Sequence, residues 1–382
     1  FIGGIILQIL LSIVFGIYIS YKTFYIKHLV KIIYMTCFII CLLGIINFLA
    51  AFLHIDFITN TTSLLYNEQL ITFGSYLPVV LNNGIPRAQS VFIEPSVFGG
   101  FLCLFLPVIY KLSNSKFKIF KSNLINFILK KTTLSLILVN IVLTQSPIFF
   151  IFGLIIMSIL CYKKLIVLFI KRSIIIITLV LVISGLVLIL NNYFNFSETY
   201  LKRIINVISV IGDFDTFVIV ENSLATRIVN YYNTLCLWTK SPILGIGLGQ
   251  LNLQLAAQLL KSPLPLTQEI IGILNSGIFT FNTGLFYKYI AETGLIGISF
   301  LYIFLIKLIK TLNRTSHYLN GIEKDFCISL RYFIITFIGL SFYNIGYLDS
   351  YIWILIGVGI GLCYKVLIKG NNGNNNDCNT NM

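Results

Sequence analysis

Hydrophobic positions along this chain form long unbroken runs, not the alternation of a half-buried strand or the narrow stripe of a surface helix. The runs approach 20 residues and recur from end to end, the length that carries a helix across about 30 Å of hydrocarbon. They predict spans at 1–20, 32–53, 90–110, 132–146, 147–162, 173–190, 285–306, 328–345 and 350–368. The expected fold class is therefore all-α, a polytopic integral membrane protein of about nine spans, with residues 1–370 as a single membrane domain. Two stretches, about 54–89 and 191–284, are too polar and too rich in Asn, Thr, Gly and Pro to sit in lipid. The second is long enough to hold short helices of its own, lying on or dipping into the bilayer. Asn371–Met382 is low in complexity and reads as a disordered tail.

Composition sharpens this picture. Hydrophobic residues make up 57% of the chain and charged residues only 10%, against about 25% charged in a soluble domain. One stretch, Thr132–Tyr162, admits two foldings. As a single helix it would be about 46 Å long, far more than a bilayer needs, whereas a break at Gln145-Ser146-Pro147 makes it a hairpin. Charge decides between them. The hairpin puts 20 of the 27 basic residues on one side, and the unbroken helix divides them 15 to 12. Basic residues collect in cytoplasmic loops, so the hairpin is expected, with both polar stretches outside and the C-terminus in the cytoplasm. Of the 13 acidic residues, only Glu323, Asp325 and Asp377 then fall inside. The chain opens at Phe1 within an apolar run, with no Met and no charged leader, and is read as incomplete at its N-terminus.

The net charge of +14 would suggest nucleic acid in a soluble protein, but here the basic residues sit in short loops as orientation signals, so no nucleic-acid partner is expected. The eight cysteines are scattered (Cys37, Cys41, Cys103 and Cys161 lie in apolar runs) and form no CxxC pair. They read as small core residues. With three isolated histidines, the chain is expected to hold neither a metal nor a disulfide framework. No internal repeat is visible and few ionisable residues lie near the centre of a span, which argues against a transporter. The polar chemistry gathers on the outer face.

Four clusters carry it. The first is Arg87-Ala-Gln-Ser-Val-Phe-Ile-Glu94-Pro95-Ser96, where a helix enters lipid. Pro95 suits a first helical turn and Glu94 the N-terminal end that favours negative charge. Two readings of Glu94 stand side by side: a cap or partner of Arg87, and a carboxylate that serves as base or orients a sugar hydroxyl. The second is Ser223-Leu-Ala-Thr-Arg227, continuing through Tyr231, Tyr232, Trp238, Ser241-Pro242 and Gly245-Ile-Gly247-Leu-Gly249. A guanidinium fork suits a pair of phosphate oxygens, and Tyr231 and Trp238 suit sugar faces or the membrane interface. The glycine run has no strand before it and lacks the GK[ST] ending of a nucleotide loop, so a tight turn between membrane-proximal helices is expected. Lys202-Arg203 is a third basic point, for lipid headgroups or for the site. The fourth runs from Asn282 to Gly297. Its glycines with Ala291 allow close packing, and Tyr287 and Lys288 are interface anchors or site residues.

The order Arg87…Phe92-Ile-Glu94-Pro95-Ser96, a long outer loop, Arg227…Trp238…Ser241-Pro-Ile-Leu-Gly-Ile-Gly247, then Ala291-Glu-Thr-Gly-Leu-Ile-Gly297 resembles the O-antigen polymerase (Wzy-like) and ligase superfamily. The resemblance covers about residues 84–360, and Glu-Pro-Ser points to the polymerase branch. It implies a multi-pass protein of the bacterial inner membrane that works at the outer face. Its substrate would be an undecaprenyl-pyrophosphate-linked glycan, and its activity that of a polysaccharide polymerase: a metal-independent glycosyltransferase without a cofactor. It further implies membrane lipid and a chain-length regulator protein as partners. The loop arginines of the family hold the pyrophosphate, which makes Arg227 the leading ligand here and Arg87 and Arg203 its supports. Tyr231, Trp238 and Tyr287 would align the sugar.

Two departures matter. The ligase branch carries a His-Asn pair where this chain has Thr283-Gly284, so no histidine base carries over. The family's Ser-Arg is here Ser146-Pro147. Glu94 is left as the base to test. Family members usually have both termini inside, and nine spans starting outside imply missing N-terminal helices. The alternatives are a ligase of the same superfamily, a lipid-linked oligosaccharide flippase or transporter, and a glycosyltransferase using a monosaccharide-lipid donor. The last expects acidic pairs in the first outer loop, where Asp56 stands alone.

Overall fold

The computed structural model describes residues 2–53, 55, 81–82, 85–92, 94–118, 122–171, 216, 218, 222–277, 279, 281, 283–343 and 350–378. Their elements are α1 (Ile2–Tyr21), α2 (Thr23–Phe52), the short arms β1 (Leu81–Asn82) and β2 (Ile85–Pro86), α3 (Pro95–Ser113), α4 (Asn123–Leu143), α5 (Pro147–Lys171), α6 (Asn222–Lys240), α7 (Leu251–Leu259), α8 (Gln268–Ser276), α9 (Leu285–Tyr318), α10 (Gly321–Leu340) and α11 (Ser350–Cys378). This is a polytopic helical membrane protein. Two compact units divide it, one drawn from residues 1–80, 87–153 and 299–382, the other from 81–86 and 154–298.

In the first unit α3 is the central helix, with nearly every residue buried. Glu94 is its extended N-cap and Pro95 its first residue, where a missing N–H costs nothing and the fixed φ suits the helix. The rings of Phe98, Phe101 and Phe105 line it, and Phe105 meets Phe333 of α10 at 5.8 Å. Polar side chains join the helices: Asn140 Nδ2 of α4 donates to the Cys41 carbonyl of α2 at 3.0 Å. The helices α1 and α11 run so close that a Cβ on Gly16 would overlap the Ile354 carbonyl, and one on Gly357 the Ile13 carbonyl. Small residues permit such close approach in membranes, where apolar surface alone gives helices no reason to associate. At another point Lys365 Nζ bonds the Glu323 carboxylate at 2.6 Å, and the Thr23 hydroxyl donates to the same oxygen.

The helix break expected at Gln145-Ser146-Pro147 is present. Helix α4 ends at Leu143 and α5 begins at Pro147, with Gln145 in the left-handed region at φ 49°. Close to the break, a Cβ on Gly153 would touch Ile141 at 3.5 Å.

The count of nine spans is not supported. Five described helices are long and apolar enough to cross a membrane: Thr23–Phe52, Pro95–Ser113, Asn123–Leu143, Leu285–Tyr318 and Ser350–Ile368. The apolar parts of α1 and α5, Ile6–Tyr21 and Ile148–Leu160, are shorter. The span expected at 328–345 belongs to α10, which carries Glu323, Lys324, Asp325 and, at its middle, Arg331, so the charge-poor stretch left in that helix is too short. The span expected at 173–190 lies outside the described residues.

In the second unit α7 and α8, nine residues each, pack against α6 around Val229, Leu237, Leu251, Leu255, Leu259 and Ile270. Thr267 caps α8 by accepting from Ile270 N at 3.3 Å, and Gly277 ends it at φ 70°.

Candidate functional site

The second unit holds most of the residues singled out from the sequence. Helix α6 presents an unusual inner face: Thr226, Arg227, Asn230, Asn233 and Thr234 are all buried. Burying polar groups is costly unless they are hydrogen-bonded. Some of these are. The Thr226 hydroxyl meets that of Thr267 at 2.6 Å, and Asn233 Nδ2 donates to the Val229 carbonyl and to Ser262 Oγ at 2.9 and 3.0 Å. Thr234 Oγ1 and Asn233 Oδ1 are buried with no hydrogen-bond partner among the described residues.

Arg227 is 8% exposed. One turn further on the same face, Tyr231 stacks on Tyr287 at the start of α9, ring centroids 4.2 Å apart and planes within 11°. Arg227, Tyr231 and Tyr287 therefore belong to one unit, the first two on one helix face and the latter two in contact. A guanidinium beside a pair of stacked phenols can meet a phosphate and an apolar sugar face. Asn230, Asn233 and Thr234 were missed. Their signal was present in the i, i+3, i+4 and i+7 spacing of Arg227, Asn230, Tyr231 and Thr234, which is one helix face.

Trp238 lies two turns beyond Tyr231 and is half-buried. Its indole Nε1 donates to the Pro242 carbonyl at 3.0 Å, so it braces the loop Ser241–Gly249 rather than presenting its polar edge to a ligand. That loop is the turn expected from its glycines, with φ of 75°, 102° and 76° at Gly245, Gly247 and Gly249. It closes onto α9, which breaks at Gly294 (φ 64°, ψ −166°). Ile246 N and Gly247 N donate to the carbonyls of Ala291 and Glu292 at 2.8 and 3.0 Å, and Leu295 N and Ile296 N donate to those of Pro242 and Ile243 at 2.9 and 3.3 Å. A Cβ on Gly245 would overlap Glu292 backbone, and one on Gly294 the Ile243 carbonyl. The packing read from the glycines of 282–297 is thus a reciprocal backbone clasp. Glu292 is buried, and its Oε1 accepts from Leu251 N at the start of α7 at 3.4 Å, where a carboxylate suits the helix N-terminus.

Arg87 and Glu94 belong to the first unit. Arg87 Nε donates to the Thr144 carbonyl at 2.8 Å, and Ala88 N donates to the Leu143 carbonyl at 2.9 Å. Ser90 Oγ donates to the Ile40 carbonyl, and Asn47 Nδ2 to that of Ser90. The segment leading into α3 is thereby tied to the ends of α2 and α4. Glu94 is partly buried, and its Oε2 accepts from Ser96 Oγ at 2.7 Å. It makes no side-chain cap bond to α3. Arg203 lies outside the described residues. Among the described residues no group of three His, Cys, Asp or Glu side chains could hold a metal ion. No protein-family model, curated protein or solved structure matches this chain.

Proposed function

We propose that the chain is a polysaccharide polymerase that joins undecaprenyl-pyrophosphate-linked repeat units at the outer face of the bacterial inner membrane. The observation that carries this reading is the buried Arg227, one turn from the Tyr231–Tyr287 stack in a membrane protein. A cation held in place before reaction stabilises a departing pyrophosphate without a metal, and stacked phenols offer a flat apolar face to a sugar ring. In the reaction, a hydroxyl oxygen on the non-reducing end of the incoming unit bonds to the anomeric carbon of the growing glycan. The bond from that carbon to the pyrophosphate breaks, and undecaprenyl pyrophosphate leaves with the bonding pair. The hydroxyl proton passes to a base; Glu94 is the carboxylate to test on the strength of the sequence alone. Arg227 meets the leaving charge, and Arg87 and Arg203 are supports that rest on the family resemblance alone. The cytoplasmic C-terminus and the chain-length regulator belong to this same proposal, supported by the basic-residue asymmetry and the family resemblance.

The test is Arg227→Ala and, separately, Glu94→Gln in cells, with expression confirmed and surface glycan run on a gel. Wild type gives a ladder of chain lengths, and Arg227→Ala reduces it to a single repeat unit on its acceptor. A persisting ladder removes Arg227 from the site. Lipid-linked glycan that never reaches the outer face transfers the reading to a flippase.

A further inference from the structure

The clasp between Ser241–Gly249 and α9 says where this loop lies. In an unbroken α9 the amides of Leu295 and Ile296 would bond the carbonyls of Ala291 and Glu292. The break at Gly294 frees all four groups, and the loop satisfies each of them through the carbonyls of Pro242 and Ile243 and the amides of Ile246 and Gly247. Broken helices persist at membrane depth only where protein pairs the freed backbone, so loop and break share one depth. Lys307 is the first charged residue beyond the break. With Lys307 at one boundary, Leu295 lies about 18 Å of helix away, which leaves it about 12 Å inside the other boundary of a core about 30 Å thick.

The loop's side chains fit that depth. Ser241–Gly249 carries no charged residue. Its tip points outward, with Ile243 60% and Leu244 72% exposed, beside Leu295 and Ile296, which are themselves exposed on α9. The geometry points to a re-entrant element: Ser241–Gly249 dips into the hydrocarbon and sets Ile243 and Leu244 against acyl chains. Its occupant is the bilayer, because the exposed tip is hydrogen-bonded to the backbone of a membrane-crossing helix on that helix's own exposed side. This gives a definite place to the expectation that 191–284 holds elements lying on or dipping into the bilayer. It holds whichever reaction the protein performs.

The test uses the full chain in proteoliposomes with a nitroxide on Leu244→Cys, the native-cysteine signal being measured on wild type. Collision rates with oxygen and with a water-soluble nickel chelate are compared with those of Phe300→Cys, on the exposed side of α9, and Asn275→Cys, on the exposed surface of α8. The expected oxygen-to-nickel ratio at Leu244→Cys matches Phe300→Cys and exceeds Asn275→Cys. A ratio nearer that of Asn275→Cys overturns the proposal. Ile243→Cys repeats the measurement should the label at Leu244→Cys prevent folding.

Discussion

Alanine at Gly294 perturbs the clasp with the least change of chemistry. The backbone there, at φ 64° and ψ −166°, lies in a region that only glycine enters freely, and a side chain held in it costs about 1–3 kcal/mol. The added Cβ would also overlap the Ile243 carbonyl and sit 2.6 Å from Gly245 N. These are backbone atoms, so relief comes only by moving the loop, which loosens the Leu295 and Ile296 amide bonds. Each buried amide left unpaired costs about 1–3 kcal/mol. Together these give about 3–9 kcal/mol, a large part of the roughly 5–15 kcal/mol that holds a folded protein together. Gly272→Ala in α8 is the control. No atom lies within 4 Å of a Cβ built there, so alanine gains about 0.5–1 kcal/mol of helix propensity. Unfolding of the purified full chain, followed by denaturant titration in detergent, reads both. A Gly294→Ala protein within about 1 kcal/mol of wild type, the size of an ordinary surface change, refutes the reasoning.

Three further outcomes follow from other contacts. Glu323→Ala strands Lys365, whose side chain is only 17% exposed, and costs about 3–5 kcal/mol, most of which Lys365→Met in the same chain restores; the two denaturation midpoints check this. Thr234→Val removes a buried hydroxyl that has no partner among the described residues, so thermal unfolding shows stability unchanged or raised by about 1 kcal/mol, and a marked loss contradicts it. Asn140→Leu removes the bond to the Cys41 carbonyl and lowers stability by about 1 kcal/mol, the scale of such bonds between membrane helices.

Much of the fold was legible because the bilayer imposes one length on every span. Thr132–Tyr162 was too long for one crossing, and Pro147 together with the lysines on both sides marked the break. Glu94-Pro95 announced the start of α3 through the same local rules. The span at 328–345 misled because its apolar run is the tail of a helix that begins at Gly321, among charges that hydropathy averages blur. The site was legible only in part. Arg227, Tyr231 and Tyr287 stood out by residue type and sit in one unit. Trp238 was named for sugar stacking, yet its indole holds the Pro242 carbonyl. The buried polar face of α6 was overlooked because Asn and Thr read as solvent-facing. The clasp was invisible because its hydrogen bonds join residues near 242 to residues near 295, and only the fold brings these together. Gly245 read as a turn glycine and Gly294 as a packing glycine, when each makes room for the other strand of the clasp.

The most direct test of the central claim supplies purified full chain in vesicles with an undecaprenyl-pyrophosphate-linked repeat unit and measures both glycan length and released undecaprenyl pyrophosphate. The account predicts a ladder of polymer with release in step, and at least a tenfold slower rate for Arg227→Ala, since losing one preorganised charge contact costs a few kcal/mol of transition-state stabilisation. Release without polymer, polymer at an unchanged rate in Arg227→Ala, or movement of the lipid-linked unit across the bilayer with no bond formed would contradict it.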